Sequence, residues 1–164
     1  MSRDMLHHAT TIITPTDREI LIERVFDGPR ELVFQACTDP ELIPQWWGPR
    51  RLTTTIEQMD VRPGGKWRFL QRDAEGNEFG FRGTYLEVMP PTRLVDTFVF
   101  DPYPDHTMVE TLDLHDLGAA TRMTVSAMYE SREARDGMLS SGMAAGITES
   151  HQRLDELLVR MALR

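Results

Sequence analysis

Glu110 is the residue of this sequence that carries the most chemical promise. In MVETLDL, residues 108–114, it shares strand parity with Met108, Leu112 and Leu114, so alternation puts its carboxyl on an apolar face. A carboxylate there must find a partner or take a raised pKa, and an acid so perturbed can give or take a proton in catalysis. The alternative is a strand edge or bulge that turns Glu110 to solvent. His151 is the second acid/base candidate. It flanks an apolar stripe of helical spacing near the C-terminus, where it either donates to a ligand or packs its ring half exposed. His115 and Asp116 fall at a turn and read as solvated. Cys37, the only cysteine, sits in LVFQAC with no basic motif beside it, which fits a small buried hydrophobe better than a nucleophile. His7 and His8 near the N-terminus, and Asp101, Asp105 and His106 in one loop, match no zinc or calcium spacing. No GxSxG, phosphate-cradling glycine loop or dinucleotide fingerprint occurs. Neither a metal nor a cofactor is expected.

The elements that must position these residues follow from periodicity. Residues 1–16 read as a flexible N-terminal arm, with a short strand at Thr10–Ile13, and residues 17–164 as a single domain. Glu19–Phe26 alternates as a strand. Pro29 opens a helix to about Cys37, because a proline in the first turn gives up only an N–H that has no partner there. Thr38-Asp39-Pro40 stops that helix and starts a second short one, PELIPQWW, ended by Gly48-Pro49. Strands follow at 52–61, 66–72, 78–89, 92–101, 107–115 and 122–130, joined by short turns that favour antiparallel pairing. In the second of these, Trp67, Phe69 and Gln71 share one face; in the third, Phe79, Phe81, Gly83 and Tyr85 do. From Ser131 the period becomes helical, with an interruption at 140–142. Met143, Ile147, Ser150, Leu154, Leu157, Leu158 and Met161 then form one stripe. The fold class is α+β: a curved antiparallel sheet around a long C-terminal helix, with two short helices after the first full strand.

Composition supports this and narrows the partners. The chain has 164 residues, 40% apolar and 27% charged, enough for one ordinary core without disulfides. Its formal charge is −8, and among its basic residues Lys66 is the only lysine, the rest being scattered arginines. That disfavours nucleic acid and anionic membrane surfaces as partners. The N-terminus lacks a signal-peptide pattern and no apolar run could span a bilayer, so a cytoplasmic protein is expected.

Several ordered motifs carry a family resemblance. RVFDGPRELVFQACTDPELIPQWWGP, MDVRPGGKWRF, FRGTYLEVMPPTRLVDTF and ATRMTVSAMYESREARDGMLSSGMAAGITESHQRLDELL together resemble the SRPBCC (START-like) superfamily. Within it they resemble the branch named for the activator of the heat-shock chaperone ATPase. The resemblance runs over about residues 17–160. It implies a helix-grip fold with a hydrophobic cavity between sheet and C-terminal helix. On that basis the ligand-lining residues are expected to be Trp46, Trp47, Trp67, Phe69, Phe81, Tyr85, Phe98, Met123, Val125, Met143, Ile147, Ser150 and Leu154. Trp46 and Trp47 either fill the sheet opening or gate its mouth, and Ser150 leaves room that a larger residue would fill. Cys37 and His151 stand where many relatives carry a bulky aromatic, which implies a differently shaped cavity near Cys37.

The implied function is non-catalytic binding of a small hydrophobic molecule. Acid/base chemistry of the polyketide cyclase or dehydratase type is the alternative, and a chaperone-activating interaction module is the second. The chaperone activators of the family carry a further N-terminal domain for which this sequence has no segment, which weighs against that last reading. A protein partner or a homodimer stays open.

Overall fold

The computed structural model describes residues 8–163; the first part of the N-terminal arm, His7 included, lies outside them. Thr11–Ile13 (β1) pairs antiparallel with Glu19–Phe26 (β2), whose strict alternation buries Ile20, Ile22, Arg24 and Phe26 on one face. Arg30–Thr38 (α1) follows with Pro29 as its N-cap, and Asp39 ends it in an extended conformation. The second short helix is a single 3-10 turn, Ile43–Gln45. Pro44 lacks the N–H that a continuing helix needs, and the left-handed Gly48 (φ 99°) closes the segment.

Six strands complete the sheet: Thr53–Met59 (β3), Lys66–Arg72 (β4), Glu78–Met89 (β5), Arg93–Phe100 (β6), Met108–Asp116 (β7) and Thr121–Met128 (β8). Every pairing is antiparallel, in the order β1-β2-β8-β7-β6-β5-β4-β3. Sequential strands are neighbours from β3 to β8. The exception is β2, which docks on β8 and so ties the start of the chain to its end. Trp67, Phe69 and Gln71 are buried on β4 while Lys66 and Arg72 are exposed, as the alternation predicts.

Ser131 caps Arg132–Leu139 (α2), its hydroxyl accepting from the Ala134 N–H at 3.1 Å. Gly142, with φ 84°, separates α2 from the long helix Met143–Ala162 (α3). The C-terminal half of α3 is packed solid: Leu154, Leu157 and Leu158 are 0%, 0% and 2% exposed. They join a core with Phe26, Val33, Ala36, Leu114 and Met123. The N-terminal half turns smaller or half-buried residues inward, Met143, Gly146, Ile147 and Ser150. Among the described residues no helix is long and apolar enough to cross a membrane.

Replacing Leu154 by Ala should therefore leave a cavity in a rigid wall and cost about 2–5 kcal/mol. Val159→Ala on the opposite face, where Val159 is 62% exposed, should change stability by less than about 1 kcal/mol. Urea denaturation of both variants gives the comparison.

Candidate functional site

Where α3 does not fill the sheet's inner face, space remains. An inner chamber of about 180 Å³ lies among α1, the 43–47 turn, strands β2 and β4 to β8, and α3. An outer groove of about 750 Å³ continues it between the sheet, α2 and the first turn of α3. Ile22, Trp47, Phe98, Glu110, Ile147 and Ser150 line both, so the two meet there.

The paired tryptophans have separate tasks. Trp46 is buried and donates its indole N–H to the Ala36 carbonyl at 2.9 Å, fixing the 43–47 turn on α1. Trp47 is half-buried and meets Phe69 and Phe81 edge to face, each at 5.1 Å between centroids. It stands at the junction of chamber and groove. Helix α3 holds this turn from the other side. The Ser150 hydroxyl donates to the Trp46 carbonyl at 2.9 Å and accepts from the Gly48 N–H at 3.2 Å, and Arg153 donates to the Gly48 carbonyl at 2.8 Å. Gly48 takes φ 99°, where a side chain would be strained, and a Cβ there would also displace the Gln71 amide from 2.1 Å away. Ser150 borders the space, and its hydroxyl also bonds the 46–48 turn.

Glu110 lies on the inner face of β7 with Met108 and Leu114 and is not turned to solvent; the surface it keeps is cavity surface. Asp96 is directly opposite it on β6, and Tyr85 is opposite Asp96 on β5. All three line the chamber. Burial raises the Glu110 pKa to about 7. Burial, and then the charge of Glu110, push Asp96 well above the usual carboxylate range. Side chains directly opposed across two strands stand about 4.5–5.5 Å apart at Cβ, and two like charges at that range cannot both ionise cheaply. The pair therefore retains a proton near neutral pH.

The groups around the pair are neutral. Burial pushes the Cys37 thiol to about 12, which agrees with the inert reading of that residue. Tyr85 is only 2% exposed, is raised by burial and by Asp96, and its hydroxyl has no hydrogen-bond partner among the described residues. His151 is 4% exposed and lines the chamber, with its pKa lowered to about 3 by burial and then by Arg24. Its Nδ1 is 2.9 Å from the Thr10 hydroxyl, which also accepts from Arg24. This hydrogen bond holds the ring in place whichever tautomer it takes. His151 is thus an uncharged imidazole at neutral pH, set edge-on to Phe26.

Of the predicted lining residues, Trp46, Trp67, Phe69, Tyr85, Met123 and Val125 line the chamber alone. Phe81 and Met143 line the groove alone, and Trp47, Phe98, Ile147 and Ser150 line both. Leu154 lines neither: it lies one turn farther along α3, wholly within the solid core. Asp96 was not among the predicted residues, although it shares parity with Phe98 two positions on and alternation alone brings it inward. The groove walls Tyr103 and Met138 also went unpredicted, since only the docking of α2 against the sheet brings them together. Among the described residues no cluster of three or more His, Cys, Asp or Glu side chains could hold a metal ion.

The family model described as activator of Hsp90 ATPase homolog 1-like protein matches residues 27–159. The chain belongs to this family. Like other structures of the Hsp90-ATPase-activator-like group, it has the helix-grip arrangement. A crystal structure of a protein from Rhodobacter sphaeroides is 26% identical and superposes with a TM-score of 0.87, over 93% of this chain and 99% of the other. A protein from Nitrosomonas europaea, 28% identical, gives 0.82 over 92% and 100%. The AHSA1 protein from Silicibacter pomeroyi, at 21% identity and a TM-score of 0.73 over 87% and 99%, shares the fold. No curated protein matches the sequence.

The carboxyl pair sets a pH signature. Glu110 binds its proton more tightly folded than unfolded, so its contribution to stability is present below about pH 4.5 and is lost as pH rises through about 7. His151 has the opposite sign, costing stability as pH falls below 6.5, and is common to wild type and variant. Relative to wild type, Glu110→Gln should thus gain on the order of 1–3 kcal/mol between pH 5 and pH 8. Denaturation curves of both proteins at the two pH values measure it, and a pH-independent difference would show that Glu110 titrates normally.

Proposed function

We propose that the protein binds a small, mainly apolar molecule in the space between its sheet and α3, without transforming it. The observation that carries this reading is the continuity of an aromatic-walled chamber with a groove of about 750 Å³. Ligand sites usually measure about 300–1,000 Å³, so the chamber alone is too small and the groove is large enough. The walls suit such a ligand: Trp47, Phe81, Phe98 and Phe100 offer ring faces, and Met138 and Met143 can adjust to its outline. The family resemblance implies a hydrophobic ligand for this space as well.

A second reading rests on Glu110 alone. An acid poised near neutral pH in an apolar cavity is what proton transfer to a bound molecule requires. Exchange of the methyl protons of 2-acetylnaphthalene into heavy water, present in wild type and absent from Glu110→Gln, would favour catalysis over binding.

Saturable fluorescence enhancement of the uncharged probe N-phenyl-1-naphthylamine tests the binding reading. Ile147→Trp fills the junction of chamber and groove from a half-buried position. It should weaken probe binding at least about tenfold, equivalent to about 1.4 kcal/mol, while far-UV circular dichroism stays native. A wild type with no saturable enhancement, or a variant that binds the probe as wild type does, would overturn it.

A further inference from the structure

Resting on the binding reading above, we propose that the ligand of this site carries a basic nitrogen, which enters the chamber as a cation between Asp96 and Glu110 while the apolar body fills the outer groove. Three observations converge on this. The first is placement: Asp96 lines the chamber, Glu110 lines both chamber and groove, and the two are register partners on β6 and β7. A head group at the junction would meet Glu110 first and Asp96 farther in.

The second is the absence of a protein counter-charge. Neither carboxyl has an ion-pair or hydrogen-bond partner among the described residues. The titratable groups that face them are Cys37 from α1, Tyr85 from β5, Tyr129 just after β8 and His151 from α3, all uncharged at neutral pH. Arg24, the cation beyond His151, is already engaged with Asp155 and Thr10. Two buried acids without a cation are expensive, so a ligand that supplies the charge gains what the protein leaves unmet. Independently of the acids, the buried Tyr85 hydroxyl is a further polar group in the chamber with no protein partner, available to the same head group.

The third is size and wall chemistry. About 180 Å³ admits a small head group and not the ring system behind it. Trp67, Phe69 and Phe98 line that space, with neighbouring centroids 4.8 and 5.7 Å apart. Ring faces attract a cation and do not attract an anion. A carboxylate or phosphate head would meet both the acids and the rings unfavourably.

Two competitors of one shape separate charge from fit: 2-(1-naphthyl)ethylamine and 2-(1-naphthyl)ethanol, each displacing N-phenyl-1-naphthylamine. At pH 8 Glu110 lies above its pKa of about 7, so the pair carries negative charge, and the amine, with a pKa of about 10, is still a cation. The amine should then displace the probe at least about tenfold more tightly than the alcohol. The preference should shrink by about threefold or more at pH 6, below the Glu110 pKa of about 7. Asp96→Asn and Glu110→Gln should each abolish most of it, with native far-UV circular dichroism showing that the variants are folded. Equal affinities, a better alcohol, or no displacement by either compound would overturn the cationic head group. The parent reading is overturned by different results, failure of the naphthylamine probe itself to bind or its unimpaired binding to Ile147→Trp, so the two failures are distinguishable. A preference that survives both substitutions would place the cation elsewhere and also overturn the proposal.

Discussion

The structure depends on how unevenly α3 fills the sheet. Leu154, Leu157, Leu158 and Met161 occupy the C-terminal half of its inward stripe, and Phe26, Val33, Leu114 and Met123 close around them. At roughly 25 cal/mol per Å² of apolar surface removed from water, this end holds the helix in place. The N-terminal half presents Met143, Gly146, Ile147 and Ser150 to the same sheet, too little volume to reach the opposite wall. A helix anchored at one end and underfilled at the other leaves a space without unfolding around it. The space is held open by bonded parts: Ser150 and Arg153 grip the 43–48 turn, Trp46 ties that turn to α1, and the Thr54 hydroxyl reaches the Trp47 carbonyl from β3.

Within that space the electrostatics run against stability. Arg24 near α3 is ion-paired with Asp155, and on the outer side of the sheet Asp101 receives both Arg68 and Arg82, which hold its carboxyl below the usual range. The acids of the chamber have no such arrangement. A core chosen for stability alone would place an apolar pair at positions 96 and 110, since cross-strand neighbours of like charge repel. Polar groups kept in a cavity at a cost are what recognition of a polar part of a ligand requires.

Membership of the Hsp90-ATPase-activator-like family accounts for the scaffold: the strand order, the long helix and the short segments between β2 and β3 recur in structures about a quarter identical to this chain. The particular chemistry lies in single residues on that scaffold. His151 is one of them, its ring set beside Phe26 and hydrogen-bonded to the Thr10 hydroxyl. Cys37 is another, a small side chain on the chamber wall.

Much of this was legible in the sequence because local periodicity and global burial agree. The alternation of Lys66–Arg72 determined which face of β4 is buried, the parity of MVETLDL placed Glu110 on an apolar face, and the stripe from Ser150 to Met161 set the phase of α3. Position along a stripe was less legible: Leu154 and Ile147 share one periodic row, yet one is core and the other borders the cavity, because only the docking of α1 beneath Leu154 fills the space there. The partner of Glu110 was hidden for a similar reason. Asp96 lies 14 positions earlier in the chain, and the β6–β7 register is what sets the two side by side. Periodicity describes one strand or helix at a time, so the sequence by itself determined the elements and the faces they bury. Which side chains oppose one another across those faces, and where the faces fail to meet, was decided by strand register and helix docking in the tertiary structure.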